Sequence, residues 1–194
     1  MALGFYFDMT RCIGCRACAV ACKDKNRLDG DSLGINLRNA ITYSAGKFPN
    51  VKCFSYSGAC NHCEDPNCIK VCASGALYKA EDGTVILDSS LCVGDQKCVG
   101  ACPYRAPQFD EAAGITRKCD ACASLRAKGE PPACVAACPM RALDFGEEEE
   151  LKAKYGDDLV SDLAVLPDSK ITGPHVWIKA KEFAKSGEFE EMML

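Results

Sequence analysis

The chain has 194 residues, enough for one large domain or two small ones, and a 48% hydrophobic share that is ordinary for a globular protein. Its formal charge of −4 argues against nucleic acid as a partner, and no apolar run approaches the roughly 20 residues that span a bilayer. Its sixteen cysteines are not ordinary: fifteen fall in four tight groups, and Met-Ala-Leu-Gly-Phe-Tyr opens the chain without the basic and apolar segments of a secretory leader, so the thiols read as metal ligands rather than disulfides.

Residues 3–9 are rich in aromatics and predict a short strand that delivers the chain into the first group, Cys12-Ile-Gly-Cys15-Arg-Ala-Cys18-Ala-Val-Ala-Cys22. Its C-x₂-C-x₂-C-x₃-C spacing is that of a bacterial iron–sulfur site. Three thiolates on one tight loop each take an iron of a cubane, and the fourth cysteine serves the other cluster of a two-cluster ferredoxin. One such group therefore implies a partner group. Residues 26–59 hold no spaced group and read as an insertion. Its Tyr43, Phe48, Phe54 and Tyr56 are expected to pack on the body of the domain, with coverage of a cluster or contact with a partner as the alternative. Cys53 stands outside every group and is expected to be a small buried hydrophobe, with a substitute ligand as its other use.

The second group is Cys60-Asn-His-Cys63-Glu-Asp-Pro-Asn-Cys68-Ile-Lys-Val-Cys72, followed by a hairpin signal at Asp82-Gly83 between two alternating runs. In the third, Cys92-Val-Gly-Asp95-Gln-Lys-Cys98-Val-Gly-Ala-Cys102-Pro103, Asp95 stands where a second cysteine belongs. Residues 108–118 predict another hairpin, leading to Cys119-Asp-Ala-Cys122 and, with eleven residues between, Cys134-Val-Ala-Ala-Cys138-Pro139. The chain repeats itself internally. Asp88 precedes Cys92 as Asp8 precedes Cys12, Gly94 matches Gly14, and Cys138-Pro-Met-Arg-Ala-Leu143 echoes Cys72-Ala-Ser-Gly-Ala-Leu77. Beyond Gly146, residues 147–154 predict a helix with Glu148–Lys152 and Glu150–Lys154 pairs, stopped near Gly156. The remainder, with Trp177 and an amphipathic stretch at 180–193, has too little core to stand alone and is expected to drape over the body and a partner subunit.

A structural zinc site uses two cysteine or histidine pairs and has no place for a third cysteine two residues on, so the spacing favours iron–sulfur over zinc. His62 and His175 are not arranged as a two-histidine cluster site and read as hydrogen-bonding residues. The basic residues Arg11, Arg16, Lys23, Lys25, Lys70, Lys97, Arg117 and Lys118 can offset the charge of ionised thiols, or serve as solvated surface.

Four groups in this order, with Cys-Asn-His-Cys-Glu-Asp-Pro at 60–66, Ala-Cys-Pro-Tyr at 101–104 and Arg-Ala-Leu-Asp-Phe-Gly at 141–146, resemble the electron-transfer subunits of the dimethyl sulfoxide reductase family of molybdopterin oxidoreductases. The resemblance implies an α+β fold of two ferredoxin-like modules with loop insertions and a C-terminal tail. The body would be 1–146, with one module from about 1–25 and 115–146, the other from about 54–114, an insertion at 26–53, and the tail at 147–194. It implies four clusters: Cys12, Cys15, Cys18 and Cys138; Cys22, Cys119, Cys122 and Cys134; Cys60, Cys63, Cys68 and Cys102; and Cys72, Cys92 and Cys98 with Asp95 at the remaining corner. Three would be [4Fe–4S]. The fourth would be [4Fe–4S] with Asp95 on a labile iron or, with that corner empty, [3Fe–4S]; a carboxylate is a harder ligand than thiolate.

The implied function is relay of single electrons, without independent catalysis, between a quinol-oxidising membrane-anchor side and a molybdopterin catalytic subunit in anaerobic respiration. The complex would lie peripherally on a membrane, on either side of it. A folded cofactor protein can be exported bound to a signal-bearing partner. The alternatives are a free polyferredoxin and a subunit of a soluble formate dehydrogenase or hydrogenase.

Overall fold

The computed structural model describes residues 3–192. In chain order its elements are β1 (Leu3–Asp8), α1 (Ala17–Asn26), β2 (Asn39–Ala45), β3 (Lys52–Gly58), α2 (Asn67–Lys70), β4 (Leu77–Lys79), β5 (Val85–Leu87), α3 (Lys97–Ala101), β6 (Gln108–Asp110), β7 (Ile115–Arg117), α4 (Ala123–Arg126), α5 (Ala133–Ala136), β8 (Leu143–Glu147), α6 (Glu148–Tyr155), β9 (Val176–Lys179) and β10 (Glu190–Met192).

β1 is the strand that the aromatic run predicts, and its alternation serves two faces. Phe5 and Phe7 enter the main core with Met9, Cys18 and Cys22, while Tyr6 turns to the opposite face with Leu151 of α6 and Trp177 of β9. It is the centre of a three-stranded sheet ordered β8-β1-β9, antiparallel to β8 and parallel to β9. The tail is therefore built into the body: Trp177 pairs with Tyr6 and Ile178 with Phe7. Tyr155 stacks on Tyr6 with centroids 3.7 Å apart and planes at 4°.

The insertion supplies most of a second sheet, ordered β10-β2-β3, in which the β2–β3 hairpin pairs in register from Asn39↔Gly58 to Ala45↔Lys52. Phe54 and Tyr56 are buried, and Tyr56 meets Phe7 edge-on at 5.5 Å; Tyr43 is half-buried beside Phe54. Phe48 departs from the expectation, being 92% exposed at the hairpin tip. Cys53 corrects another: it stands near the hairpin tip, where Val51 and Lys52 are exposed too, before β3 enters the core at Phe54, so it is exposed and not a buried hydrophobe.

The hairpins at Asp82-Gly83 (β4–β5) and at residues 108–118 (β6–β7) form as predicted. α6 begins one residue later than expected and ends at Gly156, whose φ is +91°. The Glu148–Lys152 pair forms at 2.6 Å, but Lys154 reaches Asp144 of β8 at 2.7 Å rather than Glu150, because Tyr155 donates to the same carboxylate and draws the helix end onto the sheet. The amphipathic stretch becomes a 3₁₀ turn at Glu182–Ala184 and β10; its last residue, Met193, lies outside the described residues.

Candidate metal centres

Two of the cysteine loops begin from the same device. Asp8 Oδ1 accepts hydrogen bonds from Thr10 N and Oγ1 at 2.8 and 2.5 Å, and Asp88 Oδ1 accepts from Ser90 N and Oγ at 2.9 and 2.6 Å. These turns close the strands and aim the chain at Cys12 and Cys92. Gly14 and Gly94, at φ +69° and +72°, then fold the loops against their supports: a Cβ would lie 2.6 Å from Ser55 Oγ at the first and 2.5 Å from Gly114 O at the second. The exits repeat as well, because the residues three after Cys72, Cys102 and Cys138 (Gly75, Arg105, Arg141) all have positive φ and donate back to the cysteine carbonyl at 3.1 to 3.2 Å.

Helices carry five of the ten buried thiols. Cys18 and Cys22 stand one turn apart on α1, which packs on α5 with Cys134; Cys68 on α2 packs toward Cys98 on α3. The thiols lie close to one another in groups. Cys12 is pushed up by burial and then by Cys18, Cys138 and Cys15, and these four line one apolar cavity with Phe7 and Leu143. Burial pushes Cys22 up to about 11, with Cys134 and Cys122 adding to it. Cys119, fully enclosed, is pushed up by burial and then by Cys60 and Cys22, so it faces thiols from two different cysteine groups. Burial raises Cys63 to about 11 and Cys68 to about 12, each helped by Cys60 and Cys102, and these four line a second cavity with Thr172. Cys98 is raised by burial and, among thiols, by Cys72 and Cys92.

Groups of thiols that repel one another yet form no disulfide want a multivalent cation among them. Among the described residues no three His, Cys, Asp or Glu side chains close on a single ion. The backbone completes the fit, with N–H groups aimed at sulfur from Ala142 to Cys138 at 3.3 Å, Ala121 to Cys119 at 3.4 Å, Leu77 to Cys72 at 3.4 Å and Thr116 to Cys92 at 3.5 Å. At Cys72 these donors outweigh the largest single influence, burial, and hold the thiol below its usual value.

Asp95 is placed differently. Its carboxylate is exposed and bound to Lys97, Oδ1 accepting from the backbone N at 3.3 Å and Oδ2 pairing with Nζ at 3.2 Å. Nδ1 of the buried His62 accepts a hydrogen bond from Val85 N at 3.0 Å, and His175 Nε2 lies 3.4 Å from Glu64 Oε2. From the set of loop cations, Lys118 brings its ammonium to a thiol, 3.6 Å from Cys60 Sγ. Sequence reasoning passed over Arg38, which is fully buried near Cys18, Cys22, Cys119 and Cys134. Burial works against its charge, but the four thiolates together outweigh that. No spacing marks it, since it belongs to the ligand-free insertion.

Thiolate sets on ferredoxin-like loops, enclosing cavities and met by backbone N–H groups, define an iron–sulfur protein. A 4Fe-4S dicluster domain matches residues 51–148, and a 4Fe-4S binding domain matches residues 5–24. The B subunit of the anaerobic dimethyl sulfoxide reductase of Escherichia coli (strain K12) is 44% identical over 91% of this chain and 87% of its own length. That of Haemophilus influenzae is 42% identical over 94% and 91%. A thiosulfate reductase electron transfer subunit from Salmonella typhi is 41% identical over 65% and 66%. The chain belongs to this family of iron–sulfur electron-transfer subunits, which carry 4Fe–4S sites. Among the described residues no helix is long and apolar enough to cross a membrane.

Proposed function

We propose that the chain relays single electrons through four clusters between a quinol-oxidising membrane-anchor side and a molybdopterin catalytic subunit. The ligand sets are Cys12, Cys15, Cys18 and Cys138; Cys22, Cys119, Cys122 and Cys134; Cys60, Cys63, Cys68 and Cys102; and Cys72, Cys92 and Cys98 with Asp95. The carrying observation is the grouping of the thiols together with their contiguity: Cys119 faces both Cys22 and Cys60, so the second and third sites share a wall. Bound in them, iron–sulfur clusters accept and pass one electron at a time.

The helix pairs α1–α5 and α2–α3 support two modules, each spanning two sites. Cys18 and Cys22 leave α1 for different clusters, as do Cys68 and Cys72 at α2. The tail belongs to the third site: Glu64 N donates to Gly173 O at 2.7 Å and Asp65 N to Thr172 O at 2.9 Å, fixing the loop between Cys63 and Cys68. Exposed apolar side chains crowd the two ends, Ile13 (63%) beside the first site and Val93 (72%) beside the fourth. This favours a fixed subunit in a peripheral membrane complex over a freely diffusing carrier.

For the fourth site, three [4Fe–4S] clusters plus one completed by Asp95 is the first reading. The Asp95–Lys97 ion pair favours a second, [3Fe–4S], in which the carboxylate stays with its lysine. Anaerobic purification from the native host tests the whole proposal. Iron and sulfide sufficient for four clusters, with a molybdopterin subunit travelling alongside, is the expected result; zinc, or far less iron, would overturn it.

A further inference from the structure

Two buried cations lie where successive sites meet, and neither has a carboxylate. Arg38 is 2% exposed. Its guanidinium lies 4.3 Å over the Phe5 ring, and Nη1 donates to Ser57 O at 3.0 Å and to Ser57 Oγ at 3.2 Å. Ser57 Oγ in turn lies 3.2 Å from Cys18 Sγ. Nε and Nη2 are buried without any hydrogen-bond partner. Lys118 is 7% exposed, and its ammonium donates to Val85 O at 2.5 Å and Cys119 O at 2.6 Å, with Cys60 Sγ at 3.6 Å. Among the described residues neither cation forms an ion pair with an acidic side chain.

An isolated buried charge is strongly unfavourable, and arginine cannot escape by losing its proton. A fold that keeps one must set an opposite charge beside it. Around Arg38 that charge is the thiolate ligands of the first and second sites, Cys18, Cys22, Cys119 and Cys134. Around Lys118 it is the thiolate of Cys60 in the third site, while the backbone carbonyl of Cys119, a ligand of the second, accepts from the same ammonium. An electron added to a cluster adds negative charge, so a nearby unscreened cation favours the reduced state. The fourth site differs: its Lys97 is exposed and neutralised by Asp95.

Resting on the four-cluster reading above, we propose that Arg38 and Lys118 are fixed counter-charges at the two junctions, Arg38 between the first and second clusters and Lys118 between the second and third. Each raises the reduction potential of both clusters that it borders. They touch no substrate and act through the clusters, so they are tuning residues, and the second cluster feels both.

The test uses the cluster-loaded subunit in its complex, with Arg38→Gln, Arg38→Lys and Lys118→Met, each followed by iron content and by EPR-monitored anaerobic redox titration. Arg38→Gln is expected to lower the midpoint potentials of the first and second clusters and leave the fourth in place, and Arg38→Lys to recover most of that loss. Lys118→Met is expected to lower the second and third and leave the first in place. Unchanged potentials at full iron content, equal shifts in all four clusters, or a lysine at 38 no better than glutamine would each overturn the proposal. Should Arg38→Gln fail to load iron, Lys118→Met decides alone; failure of both to load assigns the cations a purely structural role and overturns the proposal too. Wild-type protein lacking four clusters would instead sink the underlying functional reading, a separate result.

Discussion

Thr116 Oγ1 lies 3.6 Å from Cys98 Sγ, in a pocket that leaves Thr116 fully buried. The same residue donates its backbone N–H to Cys92 Sγ at 3.5 Å, so β7 serves two thiols of the fourth set at once. Here the Cys98 thiol donates to Thr116 Oγ1; with Cys98 ionised on iron the hydroxyl would turn to donate, and hydrogen bonds to ligand sulfur favour the reduced cluster. Thr116→Val keeps the shape and the N–H but removes the hydroxyl. The fourth cluster's midpoint potential should fall while the other three hold, and a redox titration reading no change would show that the hydroxyl points away from sulfur.

Asp95 and Cys53 form a paired test of the fourth site. Asp95→Cys should convert its EPR signal to that of an all-thiolate [4Fe–4S] cluster, since the loop already presents this position between Cys92 and Cys98. Identical spectra before and after would mean that residue 95 never meets iron. Cys53→Ser should leave iron content and every spectrum unchanged, because Cys53 is exposed near the tip of the β2–β3 hairpin.

Ile178 shows how far the body depends on its tail. It is 0% exposed, pairs with Phe7, and exchanges two backbone hydrogen bonds with Val160 at 2.7 and 3.0 Å. Ile178→Ala should cost about 2–5 kcal/mol. The check is an earlier denaturant midpoint for cluster bleaching, against an unshifted Val51→Ala at the exposed hairpin tip.

Asp82 pins the β4–β5 turn to α4 through Arg126 Nη1 at 2.7 Å, and accepts from Thr84 N and Oγ1 at 2.9 and 2.6 Å. Burial alone would raise its pKa, but Thr84 and Arg126 hold it down at about 2. A carboxylate depressed in the folded state stabilises above its unfolded value, and that contribution fades as pH falls through the folded value. Asp82→Asn should therefore weaken the protein by the same amount across the whole neutral range. With the side chain 35% exposed, the screened pair supports a loss of about 1 kcal/mol. A penalty that grew between mildly acidic and mildly alkaline buffer would rule this out.

Local spacing made much of this protein legible. The aromatic run became β1, Asp82-Gly83 became a hairpin, and matching residues such as Asp8 with Asp88 and Gly14 with Gly94 adopt matching geometry. These features depend on neighbours within a dozen residues, which is the range over which turn chemistry and alternation act. Cys53 departs from the expectation because a lone cysteine carries no spacing, and its exposure depends on where along β3 the body begins to cover the strand.

From the sequence alone came the donor type, the four thiol groups and the missing ligand at Asp95, because each is a matter of residue identity and short-range spacing. Only the tertiary structure decided what lies between those groups. It drew Arg38 from an insertion without ligands into the core, set Lys118 against Cys60 from 58 residues away, and threaded the tail beside β1 and over the loop after Cys63. The reason is physical: a buried cation is defined by the charges gathered around it, and that gathering is a property of the packed chain.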